Sequence, residues 1–176
     1  MVLLLCSALD LVPVSSLAAS IWEVQAQGSP RGAPLLSSNG MGTMDVFVPL
    51  GESGLGGWDS SGDPLPGFPL ASAPGVVQRP ASVYLPYCGM HAVVFADNGG
   101  SVHAVDRYGG EAPGWPVSAG AGIITGVTSA DLDSDGEPEI CFGTNDGRLH
   151  VYSMEGCPEE GWPVDAGSQL LFQPAL

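Results

Sequence analysis

The chain has 176 residues and a formal net charge of −15, from 19 acidic residues against four basic ones. Such an acidic chain disfavours binding to the phosphate backbone of nucleic acids or to an anionic membrane surface, and it favours cation binding. The 44% share of hydrophobic residues and the low charged fraction of 13% argue against disorder. The 26 glycines and 16 prolines predict many tight turns between short strands.

The chain begins with a strongly apolar run, residues 1–19, which we interpret as a signal peptide. Small residues at its end, such as Ala18 and Ala19, suit cleavage. Asp10 and Pro13 interrupt the run, so it predicts no stable membrane span. No basic residue precedes it, and the alternative is a remnant of an upstream strand. With a signal peptide, the protein is expected to be secreted or displayed at the cell surface.

A repeat of 47 residues organises the rest of the chain. The string Gly114-Trp115-Pro116-Val117 recurs as Gly161-Trp162-Pro163-Val164 and, more loosely, as Gly67-Phe68-Pro69-Leu70. The same step separates the turn glycines Gly62, Gly109 and Gly156. The matches need no gap and predict three copies of one unit, at about residues 37–83, 84–130 and 131–176.

Each unit has the pattern of about four short antiparallel strands. In the third unit, residues 139–143 favour a strand, Asn145-Asp146-Gly147 predicts a tight turn, and residues 148–153 alternate between two faces. No helix is predicted after residue 20. Four-stranded units of this length are typical of propeller blades. We therefore predict an all-β fold over residues 20–176, an incomplete β-propeller whose repeated Phe or Trp packs between neighbouring blades.

An acidic loop, Asp131-Leu-Asp-Ser-Asp-Gly-Glu-Pro-Glu139, lies between a predicted strand at residues 123–130 and the strand at residues 139–143. Acidic residues at alternate positions of this loop place several oxygens close together, which suits Ca²⁺ better than Mg²⁺. Ca²⁺ binds six to eight oxygen ligands in flexible geometry, whereas Mg²⁺ demands a strict octahedron. An EF-hand would need a glutamate at loop position 12, where Phe142 lies. A solvated acidic turn is the alternative. The candidate metal ligands are Asp131, Asp133, Asp135, the backbone carbonyl of Glu137, and Glu139.

The segment "DLDSDGEPEICFGTNDGRLHVYS…GWPV" resembles an FG-GAP or VCBS-type repeat, the calcium-binding β-propeller repeat similar to blades of the integrin α-subunit head. The resemblance is strong over residues 123–167, weaker over 76–120 and 37–73, and absent before residue 30. It implies that the five candidate ligands above bind calcium. It also implies a ring of several blades in an extracellular adhesion or ligand-recognition protein.

The equivalent loops of the other two units, residues 84–92 and 37–45, keep a glycine at the turn but lack the clustered carboxylates. We therefore expect one calcium site only. Three units are too few for the usual closed ring, and we expect a fragment of a longer protein. Closure through oligomerisation and an open array are the alternatives.

Several functions are compatible with such a propeller segment. We predict a non-catalytic scaffold that recognises an extracellular protein or carbohydrate ligand. The alternative is a fragment of a propeller enzyme, similar to a polysaccharide lyase or a quinone-dependent dehydrogenase, whose active site lies outside this chain. A third possibility is a purely structural segment of a larger surface protein.

His103 and His150 stand one repeat apart, which favours a structural role over a metal pair. The four cysteines show no CxxC spacing, and the sequence leaves any disulfide pairing open.

Overall fold

The computed structural model of the chain describes residues 23–71, 75–76, 78–168 and 170. The predicted signal peptide, residues 1–19, lies outside the described residues. Within them the chain forms eleven strands and no helix, as predicted. The strands are β1 (Leu35–Ser38), β2 (Met44–Pro49), β3 (Leu55–Trp58), β4 (Ala81–Leu85), β5 (Met90–Ala96), β6 (Ser101–Val105), β7 (Val117–Ser118), β8 (Thr128–Ala130), β9 (Glu139–Gly143), β10 (Arg148–Tyr152) and β11 (Val164–Asp165).

The strands form three antiparallel sheets, which we call the first, second and third blade. Their strand orders are β1-β2-β3, β4-β5-β6-β7 and β8-β9-β10-β11. In the first blade, an isolated bridge between Leu55 and Leu70 occupies the place of a fourth strand. Leu70 stands one repeat before Val117 of β7 and two repeats before Val164 of β11. The prediction of blade-like units of about four antiparallel strands is confirmed.

The turns of the repeat have the same conformation in every blade. Gly67, Gly114 and Gly161 have φ angles of 84°, 88° and 86°, a region that side-chain-bearing residues rarely occupy. Directly after the third strand of the first blade, Asp59 Oδ1 accepts hydrogen bonds from backbone amides two and four residues later, at 2.8 and 3.0 Å. Asp106 Oδ1 does the same at 2.8 and 2.9 Å. The repeated sequence therefore specifies repeated local geometry.

The pairing register departs from the gapless repeat on the first strand. The β2, β5 and β9 residues Asp45, Ala92 and Glu139 stand 47 residues apart. Their partners are Ser37, Val83 and Ala130. These partners are separated by 46 residues (83 − 37) and then 47 (130 − 83). The hairpin of the first blade is therefore one residue shorter than the other two.

Buried apolar clusters join neighbouring blades. Trp115 of the second blade is 7% exposed and lies in one cluster with Ile140, Phe142 and Met154 of the third. Its indole Nε1 donates a hydrogen bond to the Met154 carbonyl at 2.8 Å. Phe68 packs on the cluster between the first and second blades. The prediction that these aromatic residues pack between blades is confirmed at both positions.

The step of 47 residues can be followed to Gly28, ahead of the three predicted units. Gly28, Gly75 and Gly122 stand 47 residues apart, and each approaches the loop after the second strand of the following blade. A Cβ atom on Gly28 would lie 2.7 Å from the Cβ of Ser53, and one on Gly122 would lie 2.9 Å from Asn145 Nδ2. The step of 47 residues therefore also relates Gly28 to Gly75 and Gly122, ahead of the stretch that resembles the FG-GAP or VCBS repeat.

The outer face of the first blade is covered by the segment that precedes it. Val24 and Ala26 pack against a cluster of β2 and β3 residues and Leu50. No helix capable of spanning a bilayer occurs in the described part of the chain.

Candidate metal site

The acidic loop connects β8 to β9 at one end of the third blade. Ser134 and Gly136 have positive φ angles of 67° and 97°, the left-handed conformation in which the chain turns tightly within this loop. The carboxylates hold this shape by accepting backbone amides. Asp131 Oδ2 accepts from the Gly136 amide at 3.0 Å, and Asp133 Oδ1 accepts from the Asp135 amide at 3.1 Å.

Three of the five predicted ligands lie together. Asp131, Asp133 and Glu139 each place one carboxylate oxygen within 4.8 Å of the other two. The two aspartates are exposed, whereas Glu139, the first residue of β9, is only 7% exposed. Glu139 Oε2 accepts a hydrogen bond from the Leu132 amide at 2.6 Å, which fixes the buried carboxylate against the loop.

The other two predicted ligands lie in the same loop but outside this group. Asp135 Oδ1 accepts a hydrogen bond from the Glu137 amide at 2.8 Å. Burial raises the pKa of Glu139 above its ordinary value, and the nearby charges of Asp133 and Asp135 raise it further, against the effect of the hydrogen bond from Leu132. The loop therefore concentrates negative charge that a bound cation would offset.

The corresponding loop of the first blade contains a buried carboxylate that was not among the predicted site residues. Asp45 stands two repeats before Glu139 and is 1% exposed. Arg107 of the second blade pairs with it, with Nε 2.9 Å from Oδ2 and Nη2 3.3 Å from Oδ1. A guanidinium group from the neighbouring blade therefore balances the buried charge here. The signal that could have identified Asp45 is its step of 94 residues from Glu139.

The two histidines at equivalent positions have different surroundings. His103 lies between two carboxylates, with Nδ1 2.6 Å from Glu111 Oε1 and Nε2 3.3 Å from Asp97 Oδ2. Its ring stacks on Phe95 with the centroids 4.9 Å apart. Burial opposes protonation of His103, but the hydrogen bonds with Glu111 and Asp97 outweigh it and raise the pKa above 6.5.

His150, one repeat later, stacks on Phe142 with the centroids 5.1 Å apart. Its Nε2 lies 3.3 Å from Thr144 Oγ1, and Thr144 stands where the second blade has Asp97. Burial lowers the pKa of His150 below 6.5. Within the described ranges the acidic loop supplies the one group of three potential metal ligands, and that group includes neither histidine.

Three of the four cysteines lie in the described residues, and all three are free thiols. Cys88 and Cys157 are exposed, whereas Cys141 of β9 is buried. Burial raises the pKa of the Cys141 thiol to about 11, which makes it unreactive at neutral pH.

No family model and no curated protein matches this sequence. Among solved structures, the chain is similar to BamB from Moraxella catarrhalis, a β-propeller protein, with a TM-score of 0.55 and 18% sequence identity. The match covers 81% of this chain and 38% of the BamB chain, so the chain spans less than half the length of that structure. At this identity the similarity concerns the fold alone. Together with the three antiparallel sheets, it shows that these units are blades of a propeller-like fold.

Proposed function

We propose that this chain is a calcium-binding segment of a secreted or cell-surface β-propeller. It acts as a non-catalytic scaffold for recognition or adhesion of an extracellular protein or carbohydrate. The observation that carries this proposal is the convergence of Asp131, Asp133 and Glu139 within 4.8 Å in one short loop. The resemblance of the loop to FG-GAP and VCBS repeats adds to it, and the fold shared with BamB supports the scaffold role.

The chemistry of the loop favours a hard cation. Carboxylate oxygens are the ligands that Ca²⁺ takes up most readily, and its variable coordination number tolerates an irregular loop. In this proposal the triad supplies three side-chain oxygens, Asp135 a fourth, and Glu137 its backbone carbonyl. Because the cation neutralises mutually repelling carboxylates, its binding stabilises the folded blade by mass action, by about 2.7 kcal/mol at 100 times the dissociation constant.

Isothermal titration with CaCl₂ tests the site in the 176-residue chain. We expect one Ca²⁺ per chain and a loss of affinity of at least about tenfold in Asp133→Ala, because a direct ligand is removed. Asp146→Ala is the matched control. It removes an exposed aspartate from the turn between β9 and β10, at the opposite end of the same blade.

Two outcomes would overturn the calcium site. One is equal binding by wild type and Asp133→Ala; the other is a stoichiometry above one that survives in Asp133→Ala. A parallel titration with MgCl₂ should give weaker binding, because Mg²⁺ keeps most of its water ligands. N-terminal sequencing of protein recovered from culture medium tests the proposed export, and an intact Met1 on secreted material would contradict a cleaved signal peptide.

A further inference from the structure

A groove opens between the first and second blades, at the same end of the blades as the acidic loop. Its volume is about 370 Å³, near the lower limit of pockets that hold small molecules, about 300–1,000 Å³. The loop after β1 forms one wall, with Gly40, and the start of β5 forms another, with His91. The turn after β6 contributes Arg107 and Tyr108, and Asp45 lies at the base.

The equivalent interface between the second and third blades contains bulkier and apolar residues. Tyr87 stands there in the place of Gly40, one repeat later. Its hydroxyl donates to the Pro113 carbonyl at 3.1 Å and lies 3.5 Å from the Met154 carbonyl. Met154 in turn takes the place of Arg107. The groove therefore coincides with a departure from the repeat, in which a glycine and a buried charge pair stand where the next interface has Tyr87, Ala92 and Met154.

The groove is lined by both hydrogen-bond donors and hydrogen-bond acceptors. The pair with Asp45 uses Nε and Nη2 of Arg107, so the Nη1 amino group lies outside that pair, and the guanidinium also interacts with the Tyr108 side chain. Asp106 directs Oδ1 to the Tyr108 and Gly110 amides, and Oδ2 lies outside those bonds. The site thus presents a donor and an acceptor in one small space, with an internally neutral ion pair at its base.

One exposed tyrosine lines the groove beside these polar groups, and a second lies behind His91. Tyr108 is 59% exposed, and its ring centroid lies 5.5 Å from the Arg107 guanidinium carbon. Tyr84 lies outside the lining of the groove but packs against His91, which lines it; Tyr84 is 48% exposed, and the two ring centroids are 4.9 Å apart. An exposed tyrosine offers an apolar ring face together with a polar tip, a combination that suits ligands with both characters.

We infer that this groove binds a neutral saccharide of one or two rings. Sugar hydroxyls both donate and accept hydrogen bonds, which matches Asp106 and Arg107, and the C–H face of a pyranose ring matches an exposed tyrosine. The net charge of −15 opposes an anionic ligand, and the pairing of Asp45 with Arg107 leaves Asp106 as the one carboxylate of the described lining outside an ion pair, which favours a neutral ligand over a strongly cationic peptide. This inference deepens the proposed recognition role and rests on it, but it does not require the calcium loop.

Amide chemical-shift mapping tests the site on the ¹⁵N-labelled 176-residue chain. The probes are cellobiose, maltose and lactose at millimolar concentration, with glucose 6-phosphate and trilysine as charged comparisons. We expect saturable shifts at Gly40, His91 and Tyr108 with at least one neutral disaccharide, and weaker binding of both charged probes.

Two variants separate recognition from folding. Tyr108→Ala should weaken disaccharide binding by roughly five- to tenfold, whereas Tyr108→Phe, which keeps the ring, should bind within about twofold of wild type. The double variant Asp45→Ala/Arg107→Met reproduces the Ala92 and Met154 of the neighbouring interface. It should keep the dispersed amide spectrum of a folded chain and lose the saccharide shifts.

The inference is overturned if no disaccharide shifts these amides, if only a charged probe does, or if Tyr108→Ala binds as wild type does. Repeating the titration with EGTA present separates the two proposals. Saccharide shifts that persist without any calorimetric calcium binding would support the groove and refute the calcium site. Calcium binding without saccharide shifts would do the reverse.

Discussion

The hydrogen bond from the Trp115 indole to the Met154 carbonyl gives a direct test of how the second and third blades are held together. Replacing Trp115 by phenylalanine removes the indole donor and leaves a buried carbonyl, which costs about 1–3 kcal/mol of unfolding free energy. The Tyr87 hydroxyl remains 3.5 Å from that carbonyl, so we take the lower half, about 1–2 kcal/mol. The smaller ring also leaves a void in the cluster with Ile140 and Phe142, which adds about 1 kcal/mol. The expected total loss is about 2–3 kcal/mol.

Trp162→Phe is the matched control, because Trp162 has the same place in the repeat. Its side chain is only half-buried, and its indole donates no hydrogen bond to any residue that the structure describes. We expect a loss of about 0.5 kcal/mol or less, as for substitutions away from the core. Urea unfolding followed by far-ultraviolet circular dichroism measures both losses.

Equal losses for the two tryptophan variants would refute this reasoning. They would mean that in solution the outer flank of the third blade is covered as fully as that of the second. A loss below about 0.5 kcal/mol for Trp115→Phe would instead show that the buried bond does not hold the two blades together.

The two histidines and the buried ion pair give further predictions. Because the pKa of His103 is raised in the folded state, its stabilising effect is complete below pH 6.5 and is lost as the pH rises through the folded value. His103→Gln should therefore cost more at about pH 5.5 than at about pH 8.5, and His150→Gln, whose pKa is lowered, should show the opposite order in urea unfolding. Arg107→Met should lower the free energy of unfolding by about 2–3 kcal/mol, because Asp45 stays buried without its partner. Adding Asp45→Ala should restore most of that loss. Strictly additive losses in the double variant would contradict the coupling between the two residues.

Local features of the fold were readable from the sequence because short-range chemistry fixes them. A glycine with positive φ, as at Gly114 and Gly161, specifies its turn wherever the chain places it. The alternating pattern of residues 148–153 and the turn at Gly147 likewise predicted the hairpin of β9 and β10. The acidic loop belongs to the same class, since Asp131 and Glu139 are close in sequence and their convergence needs only one turn.

Contacts between blades were not readable, because they depend on how two repeats face each other. Asp45 and Arg107 are 62 residues apart, and nothing in either segment alone indicates that the carboxylate is buried or that the guanidinium reaches it. The shortened first hairpin shows the same limit, since pairing with β2 shifted β1 by one residue although the sequence repeat needed no gap.

The sequence by itself determined the number of units, their strand pattern and the one loop rich in carboxylates. Only the tertiary structure decided which equivalent positions differ in role. It paired Asp45 with an arginine of the neighbouring blade, and it left a groove beside Gly40, whereas Tyr87 stands at the equivalent position of the next interface. The physical reason is that the neighbouring blade buries these side chains and supplies their counter-charges. The sequence of one repeat does not show which residues of the next blade will face it.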